Sequence, residues 1–164
     1  MTEQRVAIVT GSAQGIGAAI ARELAGDGVK VAVADLNILG AQRVAEDIGG
    51  AAKALDISDP DQVSQVVSEV VTEYGRIDIL VNNAGLVPFT PWDQLDFTEW
   101  KRVFDTNVNG LFLMTKAVCA PMADRGSSDY HDNRECDRLC VGDCQYRGEG
   151  TDNSWTGIVC FPVC

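Results

Sequence analysis

The amino-acid sequence predicts an α/β fold with a doubly wound parallel sheet in three layers. Three observations predict it. Short β-branched apolar runs alternate with helical stretches, the links between them are brief, and a glycine-rich turn joins the first strand to the first helix. Such alternation requires right-handed crossovers, and these place helices on both faces of a parallel sheet.

Residues 5–10 are a β-branched apolar run, hence a buried strand. Residues 15–27 carry Ile16, Ile20 and Leu24 on one helical face and stop at Gly28. The second strand covers residues 30–35, the second helix 39–48, closed by Gly49 and Gly50, and the third strand 52–56. Asp59 caps the third helix, and Pro60 takes its first position, where a missing N–H leaves no bond unmade. Val63, Val66, Val67, Val70, Val71 and Tyr74 form its apolar stripe, and Gly75 ends it. Residues 77–82 are the fourth strand. One long helix is expected over residues 96–122, opened by Asp96 and Glu99 as a capping box and ending at Met122. Leu111, Phe112, Leu113 and Met114 make it apolar nearly all round, so it demands burial.

The 164 residues allow one domain with a sizeable core. Apolar content of 46% and charged content of 23% fit a globular chain. A net charge of −11 argues against nucleic acid or an anionic membrane surface as partner, since both need a basic face. Residues 1–4 show neither a basic nor an apolar leader segment, and no apolar run is long enough to span a membrane, so a cytoplasmic location is expected. The expected organisation is a nucleotide-binding domain over residues 1–125 and an irregular, Cys-rich tail over 126–164. In that tail only residues 156–160 hint at a strand.

The chemistry concentrates in the turn Thr10-Gly11-Ser12-Ala13-Gln14-Gly15-Ile16-Gly17. Gly11 permits a tight turn, Gly15 lets the backbone approach a phosphate, and Gly17 lets helix and strand pack closely. A pyrophosphate would then meet the free N–H groups and positive dipole end of the helix. Alone, the spacing is an ordinary glycine-rich turn. Lying between a first strand and an amphipathic helix, upstream of Asp35, it reads as a Rossmann-type dinucleotide site. Asp35 ends the second strand, where a carboxylate accepts from both ribose hydroxyls and repels a 2′-phosphate, so NAD is favoured over NADP. Asp56 could accept from an adenine amino group while Ile57 packs on the ring, or be a turn residue before the Asp59 cap. Asn82-Asn83-Ala84-Gly85 could face the cofactor or be a plain turn. Asn107 lies mid-helix, where Asn is disfavoured unless its amide holds a water or a backbone carbonyl.

These five features, in this order and spacing, resemble the short-chain dehydrogenase/reductase family from about Arg5 to about Arg125. The resemblance implies cofactor contacts at Gly11, Ser12, Gln14, Gly15, Ile16, Gly17, Asp35, Leu36, Asp56, Ile57, Asn83, Ala84 and Gly85. It implies that Asn107 is the Asn of a catalytic tetrad, supporting a water in a proton relay. The reaction it implies is hydride transfer between NAD(H) and a small-molecule alcohol or ketone. It also implies homo-oligomers built through the long helix.

The chain departs from the family where a catalytic Ser and a Tyr-x-x-x-Lys belong. Tyr130 is followed at plus four by Arg134 and Tyr146 by Gly150, and neither fits. The expectation is a family member truncated after the fourth strand and long helix, inactive as written, with an exposed fourth-strand edge, an uncovered Phe112 and Met114, and a tendency to associate. The alternative is a non-catalytic NAD-binding fragment or an interaction protein with a Cys-rich tail. A changed reading frame or alternative splice end near Arg125 is the preferred account of the tail. Metal binding by Cys136, Cys140, Cys144, Cys160 and Cys164 is disfavoured, because structural zinc sites usually show tighter pairs, and no metal is expected.

Overall fold

A computed structural model describes residues 4–123 and 159–160. In chain order the elements are β1 (Val6–Thr10), α1 (Gly15–Gly26), β2 (Lys30–Asp35), α2 (Ile38–Ile48), β3 (Ala51–Ala54), α3 (Pro60–Tyr74), β4 (Ile79–Asn82), α4 (Phe97–Phe104), a π-helical segment (Asp105–Gly110), α5 (Leu111–Ala123) and β5 (Val159–Cys160). All the strand pairs are parallel, in the order β3-β2-β1-β4-β5. The chain steps outward from β1 to β2 and β3, then returns to the other side of β1 as β4. That reversal makes the C-terminal ends of β1 and β4 a topological switch point, where open α/β sheets leave a crevice.

The three layers follow from the period of the strands. Val6 and Ile8 of β1, Ala32 and Ala34 of β2 and Leu80 of β4 face one side, packed with Val63, Val66, Val67 and Val70 of α3 and Met114, Val118 and Met122 of α5. Ala7 and Val9, Val31 and Val33, and Ile79 and Val81 face the other, against Ala18 and Ala21 of α1 and Ala41, Val44 and Ala45 of α2. Both faces are covered over β1, β2 and β4, so those strands are apolar through their centres rather than alternating, whereas the edge strand β3 is half-exposed and carries Lys53.

Strand starts are where sequence and structure part. Ile77 and Asp78 precede β4 instead of belonging to it. The buried Asp78 carboxylate takes over the edge, accepting from Val6 N–H at 2.8 Å, while its own N–H donates to Val6 O at 2.8 Å. Arg76 Nη2 completes this corner at 2.7 Å from Asp78 Oδ1. The edge of β4, expected bare, is joined over two rungs by β5, Val81 opposite Val159 and Asn82 opposite Cys160. Those rungs come from the stretch that alone hinted at a strand. The rest of the tail, with Cys136, Cys140, Cys144, Tyr130 and Tyr146, lies outside the described residues.

The long helix is also corrected. It is continuous in path but changes gauge to π over Asp105–Gly110. Its opening is a single cap, because Asp96 Oδ1 accepts from Glu99 N–H at 2.8 Å, whereas the Glu99 carboxylate accepts from Thr90 Oγ1 at 2.9 Å instead of returning to the cap. Met114 is not left uncovered: it is fully buried between the sheet and α3, whereas Phe112 remains 58% exposed. No helix among the described residues is long and apolar enough to cross a membrane.

Met114 therefore supports the core from the α5 side. Met114→Ala should destabilise the chain by about 2–5 kcal/mol, since a buried side chain leaves a cavity that the sheet cannot fill. Urea midpoints of the two proteins check this, and an unchanged midpoint would mean α5 is not docked.

Candidate functional site

The switch point is built from three turns. The β1–α1 turn enters it from the centre of the sheet. Gly11 has φ +63° and Gly15 φ +58°, a backbone region that other residues rarely adopt. A Cβ on Gly11 would fall 2.7 Å from Ala84 Cα, so this turn and the β4 turn touch backbone to backbone. A Cβ on Gly17 would fall 2.4 Å from Gly11 O and 2.5 Å from Asn83 Nδ2. Gly15 differs: nothing lies within 4 Å of where its Cβ would be. The turn is thus closed toward the protein and open at the start of α1.

Hydrogen bonds tie the turn to β4. Thr10 Oγ1 accepts from Asn83 N–H and Ala84 N–H, both at 3.1 Å, and donates to Val81 O at 3.2 Å. Asn83 Nδ2 donates to Thr10 O at 2.9 Å and to Gly11 O at 3.0 Å. Asn83 is therefore a brace between two strand ends. The Thr10 hydroxyl was not foreseen; the signal was a hydroxyl-bearing residue closing an otherwise apolar strand, buried where only a partnered polar group is stable. Ser12 is sealed inward, its Oγ donating to Val9 O at 2.6 Å.

α1 begins without a side-chain cap. Asn37 caps α2, Asp59 caps α3 and Asp96 caps α4, each accepting from backbone N–H groups of the first turn. Gln14, at the same position of α1, makes no such bond. The first N–H groups of α1 consequently keep their donor capacity at the crevice, where the helix dipole is positive. Ile16 projects beside them, 68% exposed.

β2 contributes Asp35 and Leu36 at its C-terminal end. Asp35 Oδ2 accepts from Ala13 N–H at 2.9 Å and Oδ1 from Asn37 N–H at 2.8 Å. Leu36 is exposed. Beyond β3, Asp56 Oδ1 accepts from Ser58 N–H at 2.9 Å and Ser58 Oγ at 2.6 Å, the turn arrangement that was one of its two readings. Ile57 is buried in the core, where a Cβ on Gly110 would come within 2.7 Å of its Cγ1.

Asn107 reaches the same crevice from the π segment. Its Nδ2 donates to Leu86 O at 2.8 Å and its Oδ1 accepts from Leu86 N–H at 2.7 Å. The amide thus binds a backbone carbonyl, one of the two uses expected of an Asn inside a helix, and fixes the chain just after Gly85. Tyr74 is the tyrosine of the described region, and it belongs elsewhere. It ends α3 shortly before the start of β4, whereas the crevice lies at the strands' C-terminal ends, and its hydroxyl is pushed up to about 12 by burial and then by its bond to Glu73. A phenol held that high is poorly placed to exchange protons near neutrality. No cluster of metal-ligating side chains occurs among the described residues.

Two glycines separate shape from strain. Gly15→Ala should cost about 1–2 kcal/mol, the left-handed backbone penalty alone. Gly17→Ala should cost more, because its Cβ meets Gly11 O and Ser12 Cα of its own turn and Asn83 Nδ2 of the β4 turn. Gly26→Ala, in open space at the end of α1, should leave stability the same or up to about 1 kcal/mol higher. Thermal melts of the three variants check this order.

Known proteins are similar to this chain in sequence and fold. The chain is 41% identical over 127 residues to D-threitol dehydrogenase of Mycolicibacterium smegmatis, an alignment covering 74% of this chain and 49% of that protein. It is 44% identical over 123 residues to galactitol 2-dehydrogenase of Agrobacterium fabrum, covering 74% and 48%. The crystal structure of a 3-ketoacyl-(acyl-carrier-protein) reductase from Brucella melitensis complexed with NADH superposes with a TM-score of 0.70 at 36% identity, over 73% of this chain and 50% of that one. The chain thus spans about half the length of these relatives. The short chain dehydrogenase family matches residues 5–129, and the chain belongs to that family.

Proposed function

We propose that this chain binds NAD(H) at the switch point and is the cofactor-binding part of an oxidoreductase acting on small alcohols or ketones. The observation that carries the proposal is the uncapped N-terminus of α1 beside two left-handed glycines and an open position at Gly15. A diphosphate would be held by the N–H groups of Gly15, Ile16 and Gly17, with Gly11 and Ser12 shaping the turn and Gln14 at its rim. Asp35 would accept from the adenosine ribose, with Leu36 next to it. Asp56 would border the adenine with the backbone of Ile57, whose side chain is buried in the core instead of packing on the ring, and Asn83, Ala84 and Gly85 would form the facing wall. Asn107 would contribute to a proton relay by holding the segment at Leu86. When bound, the nicotinamide supplies hydride chemistry.

Support comes from family membership and from the NADH bound in the Brucella structure. The relatives named for threitol and galactitol make polyols the first substrates to test. The acid–base step is assigned to no residue here, since the sequence holds no Tyr-x-x-x-Lys; we propose binding without turnover by this chain alone. An NADH titration distinguishes this from a pure interaction protein.

A second observation favours self-association. Phe89, Trp92, Phe97 and Phe112 are exposed along the outer side of α4, α5 and the loop before them, and Trp92 packs edge-on to Trp100 with ring centroids 6.2 Å apart. Exposed aromatic side chains gathered on neighbouring elements mark an interface. We propose that the α4–α5 face joins copies of the chain.

NADH fluorescence should saturate on titration with folded chain. NADPH should bind about tenfold more weakly or worse, at least about 1.4 kcal/mol, because Asp35 would confront the 2′-phosphate. A folded chain that leaves NADH fluorescence unchanged would refute the assignment. Light scattering during size-exclusion chromatography should show a dimer or larger, and Phe97→Ser with Phe112→Ser should shift it toward monomer.

A further inference from the structure

Asp35 reaches back into the protein as well as out to the crevice. The β1–α1 turn runs along the end of β2, which takes up two of its N–H groups. Ser12 N–H donates to Ala34 O at 3.4 Å, and Ala13 N–H donates to Asp35 Oδ2 at 2.9 Å. The other oxygen, Oδ1, accepts from Asn37 N–H at 2.8 Å, just ahead of α2. α2 closes the box from that side: a Cβ on Gly40 would lie 2.9 Å from Ala13 Cβ and 2.9 Å from Asn37 Nδ2. Ala13 is held between a carboxylate and a helix start. The residues that follow it, Gln14 to Gly17, begin α1 and carry the donors that a diphosphate would meet. A bond from a backbone N–H to an ionised carboxylate belongs to the stronger class of hydrogen bond. Each carboxylate oxygen can accept two hydrogen bonds, so the contacts to Ala13 and Asn37 leave lone pairs for ribose hydroxyls.

Resting on the nucleotide-binding reading, we propose that Asp35 is a positioning residue for the diphosphate turn in addition to a ribose ligand. Its hold on Ala13 N–H sets where the start of α1 presents its donors, so the two halves of the adenosine diphosphate are recognised through one side chain. A carboxylate that served the ribose alone would affect only ligands that carry the sugar, and equally whether or not they carry a diphosphate.

Adenosine and ADP-ribose separate the two roles, because both present the ribose and only one presents the diphosphate. Titrated by NMR into the 164-residue chain, Asp35→Ala should weaken ADP-ribose by a factor about three- to tenfold larger than it weakens adenosine, the worth of one lost hydrogen bond. In ligand-free protein the same substitution should speed amide exchange at Ala13 and Asn37 while Ala32 and Val33 within β2 keep their rates; a general loss of stability would move all four. Should Asp35→Ala fail to fold, Asp35→Asn, with one acceptor oxygen for two N–H donors, carries the same comparison. Equal losses on the two ligands, or an Ala13 amide that exchanges no faster, overturns the coupling and leaves the nucleotide reading intact. An unsubstituted, folded chain that binds no ADP-ribose removes both.

Discussion

The close approach of three backbones at the end of β1 is the constraint on which the rest depends. At Gly17 the first turn of α1 passes so near Gly11 O and Asn83 Nδ2 that a methyl group has no room. That approach orients α1 on the sheet and aims its N-terminus at the crevice. Buried backbone groups must be paired, so the turn cannot make this approach unless its flanks are tied. β4 ties one flank through Thr10 and Asn83, and β2 ties the other through Ala34 and Asp35.

The side chains expected to touch a ligand are therefore also the ones that hold the turn. Asn83 braces two strand ends, Asp35 grips Ala13, and Asn107 clasps both polar groups of Leu86. Such a site is organised before any ligand arrives, and it loses little freedom on binding. The π segment has the same logic. A change of helical gauge inside a long helix costs regular hydrogen bonding, and such segments occur often at functional positions. Here it contains Asn107, whose amide meets the chain after β4, and Gly110, which leaves space for Ile57.

The second layer of helices shows how partners decide the fate of an apolar stretch. Leu111 to Met114 asks for burial on every side, and no pattern within it says which side wins. Against α3 and the sheet, Met114 and Val118 become fully buried, while Phe112 is left at the surface with Phe97 and Trp92. The acidic residues of α3 meet a different neighbour. Glu69 and Glu73 flank Lys53 of β3 at 3.2 and 3.0 Å, and their carboxyls sit below the ordinary range, Glu69 through its bonds to Gln65 and Lys53, Glu73 through its bond to Lys53.

The alternation of strands and helices, the parallel sheet, the caps at Asp59 and Asp96, and the position of the glycine turn were legible in the residues themselves. Each of these is written in local terms: period, a side chain that can reach its own backbone, or a residue without Cβ. Other features took shape only when the chain folded. Strand starts at Val6 and Ile79 depend on Asp78 and Arg76, which meet Val6 from 72 residues away in sequence in the case of Asp78. The β5 rungs, the π segment, the bond that takes the Glu99 carboxylate to Thr90 instead of back to its cap, and the inward turn of Ser12 were likewise not legible in the sequence. For the strand starts and the β5 rungs the cause is a hydrogen bond between groups distant in the chain; for Ser12, whose bond to Val9 O spans three residues, and for Glu99, several partners lie within reach and packing selects one.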